Sequence, residues 1–326
     1  MTTSVLDVAT LEKLISAAVA APSFHNSQPW RFRLEPDTTT LLVRAAGERG
    51  LGEADPFGRA LHLSVGAAVF NLRVASAHFG WEPVVRLLPV PAQPDLLASV
   101  RLAGPPRAGG KEHRKDLYQA LWQRHSSRFP FSPHRPPEPV VAELMDAAHA
   151  EGAVLHLPEA DETSRLLRLT AEAERRDASD TARRTESRSW IRDGARDGLP
   201  NAALGPLDAS GRLPVRDFSG LRPENQKATA AFEQRPLIAV LSTADDRHAD
   251  WLRAGQALEH VLLVATSHQL RASLLHQALE WPDLRWALRS TDSGPVHVQM
   301  LLRLGYGPEG PASPRRPATE VLQGPR

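Results

Sequence analysis

The chain has 326 residues, 41% hydrophobic and 24% charged, which excludes a disordered chain and leaves room for a sizeable core. Lys plus Arg number 39 against 38 Asp plus Glu, so no field of one sign recruits nucleic acid or an anionic membrane, and neither is expected as a partner. With no cysteine there is no thiolate nucleophile, disulfide or cysteine-type metal site, and redox chemistry has to come from a bound cofactor. The N-terminal MTTSVLDVATLEKL lacks a basic, then apolar, leader pattern, and no apolar run nears the roughly 20 residues of a membrane span. A cytoplasmic protein is expected.

Leu11, Leu14, Ile15 and Ala18 fall at helical spacing and predict a helix over 8–20, stopped by Pro22. The polar segment Pro22 to Pro29 follows, and Trp30, Phe32 and Leu34 alternate with Arg31 and Arg33 as a half-buried strand. A longer helix is expected over 61–79 on the stripe Leu61, Val65, Val69, Leu72, then strands over 84–88 and 98–102, and a Pro/Gly linker over 105–110. Beyond it the pattern gives a helix over 115–122, the segment Arg124 to Phe131, a helix over 139–150 and a strand over 153–157. Residues 159–235 are first helical and charged, then Gly/Pro-rich from 194, and read as an insertion or lid. A buried strand at 236–241, a strong helix over 251–267, a strand over 296–304 and a proline-rich tail complete the chain.

Two stretches repeat. Leu14-Ile-Ser-Ala-Ala18 matches Leu144-Met-Asp-Ala-Ala148 at a separation of 130, and the 66–72 stretch matches 255–261 at a separation of 189, with Gly66/Gly255 and Ala68/Ala257 identical. The jump between the two separations is the insertion. Amphipathic helices resemble one another in any case, so similarity alone leaves duplication open.

Familiar phosphate motifs fail on their surroundings. Gly305-Tyr-Gly307-Pro-Glu-Gly310 fits G-x-G-x-x-G after a strand, but Pro308 leaves no helix to face a pyrophosphate. Gly104 to Lys111 has the wrong glycine spacing for a P-loop and Glu112 where Ser or Thr would hold magnesium. The 13 histidines form no H-E-x-x-H, and no metal is expected. In Arg124-His125-Ser126-Ser127-Arg128 an extended backbone puts Arg124, Ser126 and Arg128 on one face, two guanidinium forks and a hydroxyl that suit a phosphate dianion. With 35 arginines in the chain, a solvated basic turn is the competing reading. Pro22 to Pro29 divides likewise: Ser23, Asn26 and Gln28 either pair with a heterocycle edge or cap the chain reversal.

Taken together, these segments resemble the nitroreductase superfamily. Ala21-Pro-Ser-Phe-His-Asn-Ser-Gln-Pro-Trp30 is similar to its A-P-S-x-x-N-x-Q-P-W signature and Arg124 to Phe129 to its R-x-S-x-R/K signature, in inverted order. Gly255 to Ala265 resembles its long core helix and Leu302 to Gly307 its last strand. Size and order look most like the actinobacterial Acg-type subfamily. The resemblance implies an α+β nitroreductase-like fold, a single-chain pseudo-dimer of two halves around helices 61–79 and 251–267. The halves are 1–110, with the P-S-x-x-N loop, and 111–326, with the arginine segment and the lid-like insertion 159–235. Ordinary members are homodimers with FMN at the interface, and here each half retains the signature the other lacks, which raises duplication above chance similarity.

Carried over by residue, Arg124, His125, Ser126 and Arg128 would serve phosphate and ribityl, with Pro22, Ser23, Asn26 and Gln28 approaching from the other half. The family's C-terminal basic residues fall at Arg315 and Arg316. The loop that lays backbone N–H groups near flavin N5 falls at Ser273 to Gln277, including Leu275 and Gln277, and departs from the usual pattern. The implied function is an FMN-dependent oxidoreductase passing two electrons from NAD(P)H to a nitro, quinone-like or other conjugated small-molecule acceptor, with the chemistry carried by FMN and one site complete in a monomer. Two alternatives stand: an Acg-like store that sequesters FMN under a lid, and a dedicated flavin dehydrogenase of a biosynthetic pathway.

Overall fold

The computed structural model describes residues 6–104, 113–218, 228–289 and 296–324. The linker expected at 105–110, with the proposed boundary at 110/111 and most of the Gly104–Lys111 stretch, lies outside the described residues, as does 219–227 of the insertion.

Helix α1 (Val8–Val19) is capped by Asp7, whose carboxylate accepts from Thr10 N at 2.7 Å, and buries the predicted face of Leu11, Leu14, Ile15 and Ala18. Strands β1 (Trp30–Glu35) and β2 (Thr40–Ala45) form an antiparallel hairpin, with Thr39 left-handed at the turn (φ 49°). Helix α2 (Arg59–His78) follows, then β3 (Glu82–Leu87) and β4 (Leu96–Ala103). Strand β2 has no counterpart among the predicted elements. Its Leu41-Leu42-Val43 is buried on both faces, so the alternation that marks a strand is missing.

After α3 (His113–Gln123), helix α4 (Glu138–Ala150) and strand β5 (Val154–His156) lead into the insertion. This carries α5 (Ala160–Ser179), α6 (Thr181–Ser189) and the parallel pair β6 (Leu207–Asp208) and β7 (Thr229–Ala230). Strand β8 (Leu237–Thr243), helix α7 (His248–Ser267), β9 (Arg271–Leu275), α8 (Pro282–Ala287) and β10 (His297–Gly305) complete the second unit. The insertion is not all lid, because Leu166 and Ala173 of α5 sit in the second hydrophobic core. The proline-rich tail is not a loose end either. It forms α9 (Ala318–Val321) and β11 (Leu322–Gln323), which pairs parallel with β1, Leu322 opposite Phe32.

The two main sheets share one topology. In the first the order is β11-β1-β2-β4-β3 and in the second β5-β8-β10-β9; without β11, each runs first, second, fourth, third strand in chain order, all antiparallel. Each sheet has its own core, and α2 and α7 lie between them. By length and composition α2 could cross a membrane, contrary to expectation, but its apolar surface is buried inside the protein.

The helices cross where glycine allows backbone contact. A Cβ on Gly66 would lie 2.3 Å from Leu252 O, and one on Gly255 would lie 2.1 Å from Leu63 O. Both members of this reciprocal pair of contacts are related by the 189-residue repeat spacing. Leu63 of α2 in turn packs into the second core and Leu252 of α7 into the first. Gly66→Ala or Gly255→Ala has to push the helices apart, and each is expected to cost on the order of 1–3 kcal/mol or more. Thermal unfolding checks this, and an unchanged Tm in both variants contradicts so close a crossing.

Candidate functional site

The end of α1 delivers the chain to Pro22, where the loop turns under strain: His25, Asn26 and Gln28 all take left-handed backbone, φ 50°, 53° and 51°. Non-glycine residues occupy that region only where their surroundings hold them there, and such positions cluster at functional sites. Ser23 Oγ accepts from Gln28 N at 2.9 Å, so its hydroxyl braces the reversal. Asn26 donates through Nδ2 to Gly198 O at 2.8 Å and Pro314 O at 2.9 Å, while its Oδ1 accepts from Arg315 at 3.0 Å. Buried Gln28 donates to Arg196 O at 3.0 Å and accepts from Arg316 N at 2.8 Å.

From the other unit, Arg124 to Arg128 runs extended along β9: Ser126 bridges Ala272, and Ser127 N donates to Ala272 O at 2.9 Å. A narrow cavity of about 60 Å³ opens between this segment and the 22–28 loop, lined by Pro22, Ser23, Asn26, Arg124, His125, Ser126, Arg128 and Arg315. Eight of the twelve sequence-predicted site residues meet there. The other four lie outside its lining. Gln28 braces the loop from behind, and the Arg316 side chain turns to Glu320. Leu275 and Gln277 correct the expected loop, because 271–275 is strand β9, with Leu275 paired to Leu301 and packed in the core. Ser273, Leu274 and His276 line the cavity instead, and Gln277 donates to Pro214 O at 3.0 Å.

The electrostatics are lopsided. Arg124 and Arg315 both donate to Ala20 O, at 3.2 Å each, at the negative end of α1. Arg128 donates to Ala203 O at 2.8 Å and lies over the Phe218 ring. Loss of hydration holds Arg128 down at about 10, with Arg216 adding repulsion, and Arg315 at about 9, with Arg124 adding repulsion. Fully buried Glu259 is the acid that faces Arg124, its Oε1 3.4 Å from Nε. Burial pushes Glu259 up to about 7 against the pull of Arg124 and Arg315. Arg124 Nε and Arg315 Nε have no hydrogen-bond partner among the described residues. Three guanidiniums, two of them with a buried unpartnered Nε, and so little opposing charge suit a dianion.

The insertion crosses this cavity. The carbonyls of Arg196, Gly198, Ala203 and Pro214 take hydrogen bonds from Gln28, Asn26, Arg128 and Gln277. Left-handed Gly205 (φ 70°) passes so near Arg128 that a Cβ would lie 2.7 Å from its carbonyl oxygen. A latch follows: Arg216 meets Glu280 at 2.6 Å, Asp177 at 3.3 Å and His25 Nε2 at 3.1 Å, and Glu280 also faces His276 Nδ1 at 2.5 Å. Sequence reasoning missed Arg216, Glu259 and Glu280, and gave His25 and His276 no role of their own although both lie inside its predicted segments. The four-residue spacing of His276 and Glu280 was a signal; nothing in the sequence pointed to Arg216. A roomier cavity of about 850 Å³, between the insertion and the second sheet, gathers none of the predicted residues.

No family model matches the chain. Among curated proteins it is similar to the "Putative NAD(P)H nitroreductase Rv3131" of Mycobacterium tuberculosis, 32% identical with 100% of this chain and 94% of the relative covered. The "Putative NAD(P)H nitroreductase acg" of the same organism is 30% identical over 96% of this chain and 95% of its own length. A solved nitroreductase with bound FMN from Desulfitobacterium hafniense overlaps 65% of this chain and 99% of its own at 14% identity, with a TM-score of 0.41.

Glu259 gives a test of the site's charge balance. Because its folded pKa is raised, its stabilising contribution is complete below the ordinary carboxylate range and is lost as pH rises through about 7. Glu259→Gln is therefore expected to gain stability relative to the wild type between pH 5 and pH 8, at most about 1.4 kcal/mol per pH unit crossed. Chemical denaturation at both pH values checks it, and a pH-independent difference contradicts it.

Proposed function

The chain belongs to the nitroreductase family, and we propose that it is an FMN-dependent oxidoreductase with one flavin site built between two halves of a single chain. The observation that carries this reading is the convergence of Arg124, Arg128 and Arg315 on one cavity with little opposing charge, Arg124 and Arg315 each keeping an unpartnered Nε among the described residues. That donor set fits a phosphate monoester, and Ser126 and Asn26 add polar groups toward a ribityl chain.

The pseudo-dimer reading is supported by the matching sheet orders and by the reciprocal glycine contacts at the repeat spacing. It also bears on stoichiometry. At the turn after α4, where the repeat would set a second loop, Glu151 is instead ion-paired with Arg73 and faces His260 at 3.5 Å. A charge pair in that place argues for one site, complete in a monomer.

When bound, FMN supplies two-electron chemistry from NAD(P)H to a nitro, quinone-like or other conjugated acceptor. This chain's residues bind and shield. Arg124, Arg128 and Arg315 anchor the anionic end, the strained 22–28 loop presents Asn26 and His25, and the insertion excludes water. The room is small, so a ligand of this size enters only when the stretch bearing Arg196 to Arg216 moves off the cavity, and that motion rather than chemistry would set the rate. The same carbonyl contacts favour a second reading, in which the protein stores FMN without turnover.

Anaerobic mixing of the flavin-loaded protein with NADPH or NADH separates the two readings. Bleaching of the flavin absorbance followed by reoxidation with a nitroaromatic is expected of the oxidoreductase. Flavin that dithionite reduces but neither nicotinamide does contradicts it and favours storage. Arg128→Ala and Asn26→Ala, one from each half, are each expected to weaken FMN binding roughly tenfold to a hundredfold. Flavin fluorescence quenching checks this, and unchanged affinity in either variant contradicts a site shared by both halves.

A further inference from the structure

Two neutral histidines line the cavity, and their partners fix which ring nitrogen remains for a ligand. Arg216 Nη1 lies 3.1 Å from His25 Nε2, and a guanidinium can only donate. His25 Nε2 is thus the acceptor and the ring proton sits on Nδ1, assigned from this partner. That Nδ1–H is buried and has no hydrogen-bond partner among the described residues. A buried donor left without a partner is costly and calls for an explanation.

His276 has the complementary arrangement. Glu280 is held ionised by Arg216 at 2.6 Å and accepts at 2.5 Å from His276 Nδ1, which leaves the Nε2 lone pair as the free acceptor. Burial, with Arg216 adding repulsion, holds both rings below the ordinary histidine range, His276 at about 4, so neither is cationic at neutral pH. The rings lie 6.0 Å apart between centroids, close enough for one N–H donor and one lone pair to reach neighbouring atoms of a single planar edge. Phe24 packs edge-on against His276 at 4.7 Å and Phe218 against His25 at 5.4 Å, which limits how far either ring can turn.

A donor beside an acceptor matches a carbonyl next to an N–H. We propose that His25 and His276 read the C=O/N–H edge of a cyclic imide, so that the site selects its ligand by this edge as well as by phosphate. The inference rests on the flavin reading above, since the pyrimidine ring of a flavin carries such an edge. Arg216 and Glu280 act through the histidines as positioning residues: one makes His25 a donor, the other makes His276 an acceptor.

The test is a binding comparison on the full-length apoprotein, titrated with FMN and with 3-methyl-FMN, which lacks the imide N–H, with flavin fluorescence as the readout. In the wild type the methylated flavin is expected to bind roughly tenfold more weakly or worse. His276→Phe keeps a ring but loses the acceptor, and should shrink the ratio of the two affinities to about threefold or less; His276→Gln keeps an acceptor oxygen and should preserve it. Should His276→Phe fail to fold, the wild-type and His276→Gln ratios decide. Equal binding of the two flavins by the wild type, or a ratio unchanged in His276→Phe, overturns the inference while leaving FMN binding intact. Binding of neither flavin overturns the cofactor reading and this inference with it.

Discussion

Helices α2 and α7 touch backbone to backbone at Gly66 and Gly255, and the arrangement of both sheets depends on that contact. Side chains at either position would separate the helices, and with them the two cores, each of which contains a leucine from the other half's helix. Because the crossing is tight, the turn after α1 and the stretch from Arg124 to Arg128, 96 or more residues further along the chain, face one cavity. The cavity is thus lined by chain segments from both sides of the helix crossing.

Burying three arginines around a small cavity works against folding unless something offsets the charge. The protein offsets part of it with main-chain carbonyls, the C-terminal end of α1 and Glu259 beside Arg124, while Glu280 and Asp177 hold Arg216 of the insertion. What remains is a site biased toward an anion and covered by a segment bound through backbone carbonyls. The same stretch is also tied down by Arg216, and α5 beside it is seated in the second core through Leu166 and Ala173.

The parts legible in the sequence were those with a strong local signature. The helix at 59–78 and the one at 248–267 have long apolar stripes, and the 22–30 and 124–128 segments combine residue types whose spacing suits ligand contacts. Strand β2 escapes because a run buried on both faces has no alternation, and β9 because its residues fall where the resemblance puts the loop after the core helix. Within the expected stretch Ser273 to Gln277, Leu275 faces the core while Leu274 and His276 line the cavity. Arg216 was beyond reach: its partners Asp177, His25 and Glu280 are distant in sequence and meet only when the insertion folds over both halves. The proline-rich tail offered no sign that it would end as a strand beside β1.

A titration of the purified full-length apoprotein with FMN, with the mass of the species in solution measured on the same sample, tests the central claim most directly. One site assembled within one chain requires saturation at a single FMN per chain in a monomer. Two FMN per chain, a site that forms only when two chains associate, or no saturable binding would contradict it.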